Sequence, residues 1–257
     1  MTADQYADQW EINSDSFQRE GYYSWMSEQL GSAVNVLEVG CGSGNGTLAL
    51  VQGGRSVVVI EPNSKLADLT FRKLEDAGVS VVFSDASSAS ALVSNNDTSV
   101  IIIRADIFDE QIDDLRTLIK FDAITCWLIG AEPERVAPHV SKPADSFVGP
   151  EAAEYREKIH ERCCELGKYF LKPEGKVHFV DRQGLASWDQ KDQARQYFAE
   201  VYSDIAGDSY VITKSDVFLK RMHSDMAANS RIQYHAVQSA TASTLVFGSI
   251  KARLIHG

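Results

Sequence analysis

Glycine occupies four of the seven positions from Gly40 to Gly46, directly after the apolar run Val36-Leu37-Glu38-Val39. Residues without a Cβ let the chain turn sharply and let a ligand lie against bare main chain. The helix expected to open at Thr47 presents unpaired N–H groups at the same place. A buried strand, a glycine turn and a helix form the first unit of a parallel α/β sheet with a small polar ligand at its carboxyl edge. A dinucleotide fingerprint needs G-x-G-x-x-G, and counting from Gly40 or Gly42 puts Asn45 or Thr47 where the third glycine belongs.

Downstream, short β-branched runs alternate with helical patterns, as in βα repeats feeding a parallel sheet covered on both faces. Strands are expected at Ser56–Ile60, Phe121–Leu128 and Lys176–Val180, with Pro62 ending the first. Val79–Phe83 and Val100–Arg104 both read as strands, one of them an extra element. A helix capped by Ser64 should bury Leu66, Leu69, Leu74 and Ala77. Another, begun at Pro150, should bury Tyr155, Ile159, Cys163, Leu166 and Phe170. A third, capped by Ser187, should bury Ala194, Tyr197, Phe198, Val201, Tyr202 and Ile205. The tail offers strands at Ile232–Val237 and Thr244–Ile250 as an antiparallel pair, and a possible helix at Ser215–His223. Tyr22, Trp25, Met26 and Leu30 lie at helical spacing, with Trp10 and Phe17 as apolar anchors upstream.

The fold class is therefore α/β: a doubly wound, mostly parallel sheet with an antiparallel C-terminal strand pair and helices on both faces. Residues 1–257 are read as one domain, residues 1–30 as a helical N-terminal cap, and residues 130–149, rich in proline, as a substrate loop.

Composition narrows the partners. The chain has 257 residues, with 25 Lys+Arg against 36 Asp+Glu, a formal charge of −11, and no stretch gathers the basic residues into a stripe for a phosphate backbone. With 44% hydrophobic and 24% charged residues it is globular in composition, and no run approaches the length of a membrane span. The polar, acidic start lacks a secretory signal, so a cytoplasmic chain is expected. Cys41, Cys126, Cys163 and Cys164 show no paired C-x-x-C spacing and read as reduced thiols, Cys163 and Cys164 as one apolar-face residue and its neighbour. No metal site is expected.

The stretch around Gly40 resembles motif I of the Rossmann-like S-adenosylmethionine-dependent methyltransferases, an apolar strand with an acidic residue followed by G-x-G-x-G. Glu38, Gly40, Gly42 and Gly44 match it position for position. Glu61 and Pro62 end the second strand where the family places a ribose-binding carboxylate, whose two oxygens can accept both hydroxyls. Asp106 with Ile107 resembles the acidic and apolar pair that holds adenine, with Asp85 a rival for the same role. Phe121-Asp122-Ala123-Ile124-Thr125-Cys126-Trp127 resembles the strand that carries the substrate side, and the segment Leu171–Val177 the turn into the next strand.

The resemblance implies S-adenosylmethionine as cofactor. Glu38, Gly40, Cys41, Gly42 and Gly44 would surround its methionine end, Glu61 and Pro62 its ribose, Asp106 and Ile107 its base, and Cys126 and Trp127 its acceptor side. It implies methyl transfer by in-line displacement, for which the protein supplies alignment and a dry site. His139 is the candidate base. Tyr22, Tyr23, Glu132, Asp181 and Arg182 are candidate acceptor contacts, and the acceptor is expected to be a small molecule. Trp127-Leu128-Ile129-Gly130 stands where enzymes that methylate DNA bases carry an Asn/Asp-Pro-Pro-aromatic signature, so DNA is not the expected substrate. A non-catalytic cofactor-binding protein, a nicotinamide-dependent oxidoreductase and a protein or tRNA acceptor remain open on the same fold.

Overall fold

The computed structural model describes residues 1–93, 99–117, 120–147, 150–223 and 244–255. Its centre is a sheet of strands β1 (Asn35–Val39), β2 (Ser56–Ile60), β3 (Val81–Ser84), β4 (Val100–Ile103), β5 (Phe121–Trp127), β6 (Leu171–Leu185), β7 (Tyr210–Val211), β8 (Val217–Arg221) and β9 (Thr244–Leu254). The order is β3-β4-β2-β1-β5-β6-β9-β7, with β8 also paired to β9. From β3 to β6 all neighbours are parallel, and β9 runs antiparallel to β6, β7 and β8.

The near-continuous apolar strands divide their side chains between the two faces. Leu37, Val39, Val58, Ile60, Ile101 and Ile103 pack into one core. Val36, Val57, Val59, Val100 and Ile102 pack into the other. The first core is closed by helices α5 (Ala86–Val93), α6 (Pro133–Val140), α7 (Pro150–Phe170) and α8 (Lys191–Ala206). The second is closed by α1 (Ala3–Arg19), α2 (Tyr22–Glu28), α3 (Asn45–Gln52) and α4 (Ser64–Asp76). The fold is thus doubly wound. No helix among the described residues is long and apolar enough to cross a membrane.

Both doubtful strands exist. The Val100 strand lies inside the sheet, hydrogen-bonded to β2, and the Val79–Phe83 run becomes the extra strand β3 at the edge. Several local expectations are corrected. Asn63, not Ser64, caps α4, its side chain accepting from Lys65 N and Leu66 N. Leu69 is half-buried and Ala77 exposed, because the buried stripe runs through Leu66, Ala67, Thr70 and Leu74 instead. Ser187 caps a short turn, Trp188–Gln190, that feeds α8, and Tyr197 is exposed on α8's outer side. The region Ser215–His223 is not the expected helix: after a short 3-10 turn, Lys214–Asp216, strand β8 adds to β9, which also pairs with β6 and β7. The Ile232–Val237 strand lies outside the described residues. Cys163 and Cys164 are both buried.

The segments that flank the sheet edge are helical. Helix α1 begins on a Thr2–Gln5 capping box, and α2 follows it within the segment read as a helical cap. Residues 130–149 are not a patternless loop: Pro133 sits in the first turn of α6, where its missing N–H costs nothing, and Val136 and Val140 anchor the helix to the core.

Candidate functional site

The strands β1, β2, β4 and β5 end in register: Val39 faces Ile60 and Cys126, and Ile60 faces Ile103. The chain order reverses between β2 and β5 on either side of β1, the switch point at which open α/β sheets bind ligands. A crevice of about 610 Å³, open to solvent, lies at this edge, floored by Gly40, Gly42 and Glu61 and flanked by Asp106, Trp127 and Glu132. The turn is shaped for close approach. Gly40 and Gly42 have φ of 77° and 55°, and a Cβ on either would lie 2.4 Å from Ile129 Cδ1 or 2.3 Å from Trp10 Nε1.

Glu61 is buried and held by main chain: Asn63 N donates to its Oε1 at 2.9 Å and Gly42 N to its Oε2 at 3.3 Å. Cys41 Sγ also donates to Oε2 at 3.8 Å, so Oε1 is the oxygen that keeps a lone pair beyond these bonds. Burial raises its pKa to about 7, against the pull of the two N–H groups. Behind the turn Glu38 accepts from Thr47 Oγ1 at 2.6 Å, and burial, with the charge of Glu61 nearby, raises it to about 8. Two buried carboxyls thus lie beneath the glycine turn, each holding its proton well above the ordinary carboxyl range.

On the adjacent strand end Asp106 accepts from Phe108 N at 3.2 Å, and Ile107 is buried beside it. Arg135 of α6 bridges this side of the crevice. Its Nη1 donates to Asp106 Oδ2 at 3.0 Å, its Nε to Glu132 Oε1 at 3.3 Å and its Nη2 to Pro62 O at 3.4 Å. Asp85 stands elsewhere, exposed, capping α5 through Ser88 N at 2.7 Å. On the β5 side Leu128 adopts a left-handed φ of 54° while its N–H donates to Val180 O at 2.7 Å. Trp127 Nε1 donates to His178 Nδ1 at 3.0 Å; His178 Nε2 therefore carries the ring proton and donates to Ser249 Oγ at 2.8 Å.

The structure thus gathers Gly40, Gly42, Glu61, Pro62, Asp106, Ile107, Trp127 and Glu132 around one crevice. Other candidates stand apart from its lining. Glu38 and Cys41 lie behind the turn, with the Cys41 thiol pushed well up by burial. Gly44 serves packing: a Cβ there would lie 2.9 Å from the Thr70 Cα on α4. Cys126 points into the opposite core. The His139 ring is tilted against Phe108 and Tyr155, at centroid distances of 4.4 and 5.3 Å, and lines an adjoining opening that shares Pro62, Asp106 and Arg135 with the crevice. Tyr22 packs edge-on against Phe17 and Phe247, and its Oη accepts from His223 N. The Tyr23 hydroxyl pairs with Ser14. Asp181 is buried against Tyr202, Arg156 and His160 under α7 and α8, and Arg182 faces Phe247 across the β6–β9 register. In their place the crevice gains Tyr6 and Trp10 from α1, Asn63 and Leu66 from the start of α4, and Arg135. The Tyr6–Trp10 spacing after the Thr2–Gln5 capping box was the readable signal for the first pair.

No protein-family model matches the chain, and no curated protein does. Among solved structures it is similar to the N-methyltransferase NodS from Bradyrhizobium japonicum WM9, at 13% identity and a TM-score of 0.47, over 94% of this chain and 97% of that one. It is also similar to TrmN from Thermus thermophilus, at 10% identity and a TM-score of 0.46, over 91% of this chain and 48% of that one. A third is the putative RNA methyltransferase PH1948 from Pyrococcus horikoshii, at 10% identity and a TM-score of 0.45, over 91% and 82% of the two chains. Likenesses this distant say nothing of what this chain binds, and its functional reading rests on the crevice.

Proposed function

We propose that the protein binds S-adenosylmethionine in this crevice and transfers its methyl group to a small-molecule acceptor. The observation that carries the reading is the placement of Glu61. Its carboxyl group is fixed by the N–H groups of Gly42 and Asn63 at the switch point, Oε1 still able to accept from a ribose hydroxyl, with Asp106 on the next strand end. Pro62 and Ile107 flank the position of a base whose amino group would donate to Asp106. Gly40 and Gly42 let Ile129 and Trp10 close down on the turn, which bounds the methionine end on that side. When bound, the cofactor supplies a methyl group on a positively charged sulfur, already a good leaving group. The chain's own contribution is to orient and to exclude water.

His178 is bonded behind Trp127, while the His139 ring lies against Phe108 and Tyr155 at the adjoining opening, which shares Pro62, Asp106 and Arg135 with the crevice. A small acceptor is supported by the net charge of −11 and by the cover that Tyr6, Trp10 and Arg135 place over the opening.

Incubation with methyl-labelled cofactor and a cell metabolite extract, separated by size before counting, tests the reading. Label is expected in the small fraction. Label only in the macromolecular fraction would remove the small acceptor, and label in neither would remove methyl transfer.

A further inference from the structure

Arg135, in the first turn of α6, ties one strand end to the next across the crevice. Its Nη2 donates to Pro62 O after β2, its Nη1 to Asp106 Oδ2 after β4, and its Nε to Glu132 Oε1 where the chain enters α6. Strands β2 and β4 are parallel neighbours whose last residues, Ile60 and Ile103, are in register. The guanidinium therefore spans the slot between their ends. The side chains of the Arg135–Asp106 pair are only 27% and 15% exposed, so this charge-assisted bond is shielded from the solvent that weakens a surface ion pair.

The cofactor reading, on which this inference rests, puts the base in that same slot, between Pro62 and Ile107 with its amino group on Asp106. Asp106 Oδ1 already accepts from Phe108 N, and Oδ2 is the oxygen that Arg135 holds. One span cannot take a purine ring and a guanidinium together. We propose that the Arg135–Asp106 ion pair is a gate on the base subsite: an adenosyl ligand has to displace the guanidinium, and its amino group then replaces the donor that Asp106 loses. The displaced group has a place to go. Arg135 also lines the adjoining opening, where Asp109 offers a second carboxylate, while Glu132 at Nε serves as the pivot. Only the fraction of molecules with the pair open is competent to bind, so the gate lowers the apparent affinity by that fraction.

The test is a double-mutant cycle: wild type, Arg135→Ala, Asp106→Ala and the double variant are each titrated calorimetrically with S-adenosylhomocysteine. Arg135→Ala is expected to bind about tenfold tighter than wild type, because no pair has to open first. On the Asp106→Ala background, where the guanidinium has no carboxylate to hold across the slot, the same change should gain nothing. Weaker or unchanged binding by Arg135→Ala would overturn the proposal. So would an equal gain on both backgrounds, which would be the effect of side-chain bulk alone. Should Arg135→Ala not fold, Arg135→Met, which keeps the packing stem and removes the donors, carries the same expectation. Binding by neither wild type nor Arg135→Ala would instead bring down the cofactor reading itself.

Discussion

Glu38 and Glu61 are buried beneath one glycine turn, and both hold protons that free carboxyls would release near pH 4.5. The folded protein therefore binds more protons than the unfolded chain from that pH up to about 7 for Glu61 and about 8 for Glu38, so their stabilising contribution is lost as pH rises through this window. His178 acts oppositely: burial holds it well below its ordinary value, so it adds stability as pH rises, but only up to the titration of an unfolded histidine near 6.5. Between pH 6.5 and 8 the carboxyls act without that offset. Urea unfolding should show stability falling there by roughly 1–2 kcal/mol per pH unit, and Glu38→Gln should flatten the fall. A level profile in wild type would show that these carboxyls are not buried as described. Gly42→Ala tests the turn itself. The added Cβ meets both a φ of 55° and the Trp10 ring, so a loss of about 2–4 kcal/mol in unfolding free energy is expected, together with loss of ligand binding.

Among the elements, α1 and α2 are joined to the sheet by a three-ring contact in which Phe17 and Tyr22 meet Phe247 of β9 edge-on, at 5.3 and 4.9 Å. Phe247→Ala should cost about 3–5 kcal/mol, and Phe247→Ala with Tyr22→Ala less than the sum of the two single changes, because both remove one cluster. Strict additivity in urea unfolding would mean the helices dock without it. The parallel sheet, the βα units through α4, the inner position of β4 and the Thr244 strand were legible because apolar runs and turn residues are local signals. Helix α6 was hidden because Pro133 and Pro138 read as loop when the first merely starts a helix. Strand β8 was misread because its partner is set by β9, far along the chain. At the site, Gly42, Glu61 and Asp106 could be named from their positions at strand ends. That Arg135 would reach Asp106, or Trp10 lie on Gly42, depends on how helices dock, which no local pattern carries.

For the molecule as a whole, charge and topology act together. A chain of net charge −11 repels polyanions at long range, while the crevice at its switch point gathers Glu61, Asp106 and Glu132 around Arg135. Mixed with tRNA at micromolar protein and near-physiological salt, the protein should leave its electrophoretic mobility unchanged; a salt-sensitive shift would point to a nucleic-acid acceptor instead. The central claim, that this crevice accepts an adenosyl compound through a carboxylate fixed at the end of β2, is tested most directly by calorimetric titration with S-adenosylhomocysteine, with Glu61→Ala and NAD as controls. Saturable binding of one ligand per chain, weakened at least about a hundredfold in Glu61→Ala and not reproduced by NAD, is the predicted result. No heat at millimolar ligand, or binding of NAD in its place, would contradict it.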